Sequence, residues 1–236
     1  QADPDRATDC RIPGHRAMNL LIIDCDGVLV DSEPLANAIL AETLTALGRP
    51  MTAAESMRTQ IGRSLADILR ETSAIVGRPI PDTVGATMNE RLFVRFRQEL
   101  RAIEGVEEAL ARLPQPRCLA SSSRPERIDL ALETTGLARW FEHRFSAVHV
   151  ARGKPAPDLF LLAAREMGFA PSNALVIEDS VAGVAAARAA GMPAIGFVGG
   201  GHAGPDLAGR LMEAGARQVI AHMRDLPGAV AALQSS

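Results

Sequence analysis

Four acids, a run of serines and one lysine are the residues of this chain whose types and spacing could do chemistry. Asp24 and Asp26 lie two apart, with Gly27 opening a turn at once. Such a pair can set one carboxylate to attack phosphorus and the other to move a proton at the leaving oxygen. Ser121-Ser122-Ser123 follow an apolar run, and Ser121 can donate to a phosphoryl oxygen. Glu178-Asp179 close another apolar run. Lys154 is the single lysine among 25 Lys and Arg residues. A compact ammonium suits a place between a carboxylate and a phosphate, where the broad guanidinium fork does not fit. Clustered carboxylates repel one another, so a divalent cation is expected among them. Oxygen ligands beside a phosphate suit Mg²⁺, which would also neutralise charge on the transferring group. Taken singly, Asp26-Gly27 reads as a turn, Ser121 as a helix cap, Glu178-Asp179 as solvated loop acids and Lys154 as chance.

What unites them is the position of each at the end of an apolar run. The run 19–23 reads as a strand buried on both faces and ends at Asp24. Similar runs at 117–120, 145–148, 174–177, 193–197 and 218–221 alternate with helical patterns at 106–113, 125–135, 158–167, 182–190 and 208–214. That alternation predicts an α/β fold, a doubly wound parallel sheet with helices on both faces. Ligands of such sheets bind at the carboxyl ends of the strands. Asp24, Asp26, Ser121, Lys154, Glu178 and Asp179 are therefore expected at one spot.

The stretch 34–101 breaks the alternation. It carries helical patterns at 35–47, 52–57, 64–76 and 81–101, separated by Gly48-Arg49-Pro50, Gly62-Arg63-Ser64 and Gly77-Arg78-Pro79. The expected organisation is a tail at 1–18, an α/β core at 19–32 and 105–236, and a helical cap at 33–104. Gly199-Gly200-Gly201 reads as a flexible loop without chemistry, because it lacks the strand-to-helix setting of a nucleotide-binding loop.

The chain is 47% hydrophobic and 22% charged, enough apolar material for a proper core. Its net charge of -3 recruits neither nucleic acid nor an anionic membrane. No apolar run approaches the roughly 18 residues that span a bilayer. Cys10, Cys25 and Cys118 are an odd set without metal spacing, which suggests buried or reduced thiols and a cytoplasmic protein. The first 17 residues are polar, with no secretory signal, and Met18 is a natural start. A monomer or small homo-oligomer is expected.

The segments Asp24-Cys25-Asp26-Gly27-Val28-Leu29-Val30-Asp31-Ser32, Ser121, Gly153-Lys154-Pro155-Ala156-Pro157-Asp158 and Ile177-Glu178-Asp179-Ser180-Val181-Ala182-Gly183 resemble the four ordered motifs of the haloacid dehalogenase superfamily. The similarity runs from residue 19 onward and is greatest to phosphatases related to beta-phosphoglucomutase, which insert a helical cap after the first motif. That resemblance implies a Mg²⁺-dependent aspartyl-phosphate enzyme with Asp24 as nucleophile and Asp26 as acid/base. Asp24, the backbone carbonyl of Asp26 and Asp179 would hold the metal, with Glu178 nearby or behind them. Ser121 and Lys154 would hold the phosphoryl group.

Within the family, Asp26 argues against the dehalogenases, which lack it. The sole lysine lies outside the cap, against the Schiff-base phosphonate cleavers. Ala36 stands where the mutase has its cap-linker histidine, so a mutase is disfavoured against a phosphatase of a small phosphorylated metabolite, such as a sugar phosphate or 6-phosphogluconate. A non-catalytic binding module is the remaining alternative. Ser122, Arg63 and Arg124 are the further substrate contacts proposed from the sequence. Arg63 either reads a second anionic or hydroxylated end of the substrate or is a solvated turn residue. Arg124 either lines the cavity or is an exposed helix-entry arginine. Glu33-Pro34 is expected as a hinge, Trp140-Phe141 as packing, and Leu92, Phe93 and Phe96 as cap core.

Overall fold

The structure, a computed structural model, describes residues 19–61 and 63–234. The expected N-terminal tail, Cys10 and Gly62 lie outside the described residues. Six strands form one parallel sheet: β1 (Leu20–Ile23), β2 (Arg117–Ser121), β3 (Arg144–Ser146), β4 (Ala174–Glu178), β5 (Ala194–Phe197) and β6 (Gln218–Ile220). Their spatial order is β3-β2-β1-β4-β5-β6. The chain steps from β1 to one side through β2 and β3, then returns to place β4 against β1. That reversal is the switch point where ligands of open sheets bind.

Period-two alternation sorts the strands between two apolar layers. Leu21, Ile23, Leu119, Leu175, Ile177 and Ile195 enter one. Leu20, Ile22, Cys118, Ala120, Val176 and Ala194 enter the other. The first layer is covered by α5 (Val106–Ala111), α6 (Pro125–Thr134) and α10 (Leu226–Gln234). The second is covered by α7 (Asp158–Glu166), α8 (Val181–Ala189) and α9 (Leu207–Ala214). With helices on both faces, every residue of β1 and β4 is buried, which is why those strands read as unbroken apolar runs.

Four helices form the insert between β1 and α5: α1 (Glu33–Ala46), α2 (Ala53–Thr59), α3 (Leu65–Val76) and α4 (Val84–Glu99). Thr52 and Glu55 form a reciprocal capping box on α2, and the Ser64 hydroxyl accepts from Asp67 N on α3. Leu40, Leu44 and Ile68 make a small apolar centre within these helices. Ile39, Leu92, Phe96 and Leu100 belong instead to the layer under the sheet, and α4 packs against α6.

Three expectations change. Glu33-Pro34 is the first turn of α1, where proline fits because its missing N–H needs no partner. The crossing lies just before it. Asp31 N donates to Arg101 O at 3.0 Å and Ile103 N to Leu29 O at 2.9 Å, so the departing and returning chains hold each other. The third strand stops at Ser146, whose hydroxyl caps a 3-10 turn over Ala147–His149. Helix α10 was not expected; Pro227 and Gly228 look like breakers but stand in its first turn, where they are tolerated. Trp140 and Phe141 pack as expected, with Phe141 fully buried. Among the described residues no helix is long and apolar enough to cross a membrane.

Phe96 is fully buried where α4 meets the core, and the Arg127 guanidinium lies over its ring at 5.3 Å. Truncation leaves a void at that junction. Phe96→Ala is expected to lose about 3–5 kcal/mol in chemical denaturation. A loss under about 1 kcal/mol would show that the junction does not behave as core.

Candidate active site

Asp24 directly follows β1, and its backbone N–H donates to Ile177 O of β4 at 3.0 Å. Its carboxylate is 9% exposed. Lys154 arrives from the loop after β3 and is 3% exposed. Its ammonium donates to Asp24 Oδ1 at 2.6 Å, Glu178 Oε1 at 2.6 Å and Ala120 O at 3.0 Å. The ends of β1, β2 and β4 thus meet on one cation. Burial alone would favour the neutral amine, but Asp24 and Glu178 outweigh it and raise the pKa. The Phe160 ring at 5.0 Å closes another side of the ammonium.

Glu178 is committed to this arrangement. Its Oε2 accepts from Ser180 N and Ser180 Oγ, both at 2.8 Å. Ser180 also caps α8 by accepting from Gly183 N. A Cβ at Gly183 would overlap the Glu178 carboxylate, so the bare position makes room for the acid under Lys154. Glu178, expected at the metal, stands here as the partner of Lys154.

Burial pushes the Asp24 carboxyl well above the ordinary range; Lys154 pulls it down, while Glu178 and Asp179 push it further up. Asp179 is raised to about 6, again by burial first, with His202 opposing and Glu178 adding to the rise. Buried acids raised in this way have an unmet need for positive charge. Asp24 and Asp179 are oxygen donors of the kind that a hard divalent cation takes. Gly27, at φ +80°, leaves the space that Asp179 uses, since a Cβ there would overlap Asp179 Oδ2. Among the described residues no three His, Cys, Asp or Glu side chains form a metal cluster.

Asp26 faces other partners. Oδ1 accepts from Ser32 Oγ at 2.5 Å and from Arg127 Nη2 at 2.8 Å; Oδ2 accepts from Ser123 Oγ at 2.6 Å. Burial would raise its pKa, but Arg127 and the two hydroxyls win and hold it below the ordinary value. Ser121 is buried beside Ala120, and its hydroxyl accepts from Ser123 N at 3.0 Å. The Ser123 carbonyl is held in turn by Ser146 Oγ at 2.6 Å.

A cavity of about 900 Å³ lies between the four-helix insert and these serines. Ser122, Arg63 and Arg124 all line it, together with Arg127 and Phe93. Phe93, expected as core of the insert, is a cavity wall instead. Arg63 is engaged within the insert, donating to Gln60 Oε1 at 3.0 Å and Glu71 Oε2 at 2.5 Å. Arg124 is exposed at the start of α6.

Sequence reading missed Arg127 and His202. Arg127 lies in the first turn of the helix that leaves the serine run, the turn nearest Asp26. His202 Nε2 lies 3.1 Å from Asp179 Oδ2 with its side chain 7% exposed. It reaches there because the 199–201 glycines pack tightly: Gly201 N donates to Asp31 Oδ1 at 2.9 Å, and a Cβ at Gly200 would crowd Gly27 O. The signal was available, because β5 ends on the same edge as the other strands. Cys25 and Cys118 are buried with raised pKa values, Cys118 to about 12, so both are unreactive thiols.

A family model of haloacid dehalogenase-like hydrolases matches residues 18–191. The phosphoglycolate phosphatase of Escherichia coli K12 is 32% identical over 203 residues, covering 75% of this chain and 80% of that protein. The 6-phosphogluconate phosphatase of the same organism is 28% identical over 187 residues, covering 78% and 85%. The crystal structure of a conserved haloacid dehalogenase-like protein from Agrobacterium tumefaciens C58 superposes with a TM-score of 0.83 at 40% identity, covering 91% of this chain and 98% of that one.

Removing the Lys154 ammonium leaves Asp24 and Glu178 buried without a counter-charge. Lys154→Ala is expected to cost about 3–5 kcal/mol at neutral pH by denaturant titration. In the variant, the folded-state pKa of Asp24 rises further above its unfolded value. Stability linked to it is therefore present at low pH and lost as pH rises. The deficit against the parent should narrow as pH is lowered; a deficit that stays constant would refute the unpaired-acid account.

Proposed function

This chain belongs to the haloacid dehalogenase-like hydrolases, and from that premise we propose that it is a Mg²⁺-dependent phosphomonoesterase of a small phosphorylated metabolite, a sugar phosphate or sugar-acid phosphate. The observation that carries the reading is the single buried ammonium of Lys154, shared by Asp24, Ala120 O and Glu178. It fixes a carboxylate at the switch point and supplies a cation for phosphoryl oxygens. The phosphatase relatives in Escherichia coli support the substrate class.

In the proposed reaction, Asp24 attacks phosphorus while Lys154 and the Ser121 hydroxyl hold the phosphoryl oxygens. The P–O bond to the leaving group breaks, and Asp26 gives its proton to the departing oxygen. Asp26 then takes a proton from the water that attacks the aspartyl phosphate, which returns Asp24 and releases phosphate. Asp24, Asp179 and the Asp26 carbonyl are the groups that would hold Mg²⁺. When bound, the ion would lower the raised Asp24 and neutralise charge on the transferring group. The helices at 33–104 are proposed as a cap that keeps bulk water from the first step.

Phosphate release from a panel of sugar phosphates, sugar-acid phosphates and phosphoglycolate tests the reading. Activity is expected to require Mg²⁺ and to stop on chelation. Asp24→Asn should reduce kcat by more than about a thousandfold while keeping the unfolding midpoint, because an amide oxygen can still accept from Lys154. Normal turnover by that variant would remove Asp24 as nucleophile. Isomer formation without free phosphate would make the chain a mutase instead.

A further inference from the structure

We propose that Arg127 is the reader of a second anionic group on the substrate, a carboxylate or a further phosphate. This rests on the phosphatase reading. It starts from the engagement of Asp26. Both of its oxygens are taken, by Ser32, Ser123 and Arg127.

Arg127 has capacity for another anion. Its Nη2 serves Asp26, while its Nε is buried and without a hydrogen-bond partner. A buried N–H left unpaired is costly and rare in native proteins. The planar guanidinium presents several N–H donors in a fork that matches carboxylate and phosphate oxygens. The Phe96 ring, 5.3 Å from its centre, gives the guanidinium a face to rest on.

The cavity favours Arg127 over its other arginines. Arg63 is already paired with Glu71 and Gln60. Arg124 is exposed at the rim. Arg127 is only 22% exposed and lines the same cavity. Glu33 shares the wall, and its charge acts on Arg127, but its carboxylate accepts its hydrogen bond from Asn37. Ser123 and Arg127 border the cavity, whereas Asp24 and Lys154 do not. The cluster around Asp26 is thus the meeting place of the cavity and the phosphoryl site. A substrate whose ester phosphorus reaches Asp24 presents its other end to Arg127.

The test compares matched esters that differ only in the second anion: 6-phosphogluconate against sorbitol 6-phosphate, and phosphoglycolate against hydroxyethyl phosphate. The parent, Arg127→Ala and Arg127→Lys are each measured, with thermal unfolding as a check on folding. The parent is expected to favour the carboxylate member in kcat/KM by at least about tenfold, the discrimination of a site built to pair that group. In Arg127→Ala the ratio between the two members should collapse, mainly through a higher KM for the carboxylate member. Arg127→Lys keeps the charge without the fork and should restore part of the ratio; it carries the test if the alanine variant does not fold. A parent with no preference overturns the proposal, as does a variant that loses activity equally on both members. Parent protein that releases phosphate from none of the four esters, nor from p-nitrophenyl phosphate, overturns the phosphatase reading and this inference with it.

Discussion

An ammonium buried against two carboxylates is the constraint on which the rest of the site depends. Lys154 is nearly inaccessible, and a lone charge in that place would not survive desolvation. It is stable there because Asp24, Glu178 and Ala120 O take its donors. Each partner makes a demand of its own. Glu178 can lie beneath the ammonium only because Ser180 holds its second oxygen and Gly183 has no side chain. Asp24 is aimed by β1, whose two neighbours carry the other groups. The strand order, the start of α8 and one glycine all serve the same cation.

This part of the site was legible in the sequence because its information is local. Each group follows an apolar run, and an abrupt change from apolar to polar marks both the strand end and the functional residue. The parallel sheet with central β1 then brings the ends together. Arg127 and His202 were not legible in that way. The Asp26–Arg127 pair spans 101 positions, and nothing near Arg127 distinguishes it from Arg124, three residues earlier. Arg63 shows the converse. Its position in a turn left substrate contact and a solvated residue both open; it lines the cavity with its guanidinium on Glu71 and Gln60. A charge pattern gives the presence of an arginine, and only the fold gives its partner.

Apolar positions carry a similar ambiguity. Leu92, Phe93 and Phe96 share a helical stripe, yet Phe96 is core, Phe93 is a cavity wall, and Leu92 is buried at the edge of the same cavity. Periodicity reports that a face is turned from water on average. It does not separate a face packed on protein from one that borders a chamber, because both are apolar. The same limit affected α10, whose small and apolar residues give little contrast between faces and whose Pro227 and Gly228 suggest a loop.

The two aspartates after β1 are anchored to different parts of the molecule. Asp24 is hydrogen-bonded through its backbone to β4 and through its side chain to Lys154. It is as fixed as the sheet. Asp26 lies in the segment that leaves for the insert: it bridges to Val30, Val30 bridges to Ala102 on the returning chain, and Ser32, which holds its carboxylate, is the residue from which α1 starts. Any movement of α1 relative to the sheet is therefore felt at Asp26 before it is felt at Asp24. Asp24 belongs to the sheet. Asp26 belongs to the root of the insert, where Ser123 and Arg127, which hold it, border the cavity.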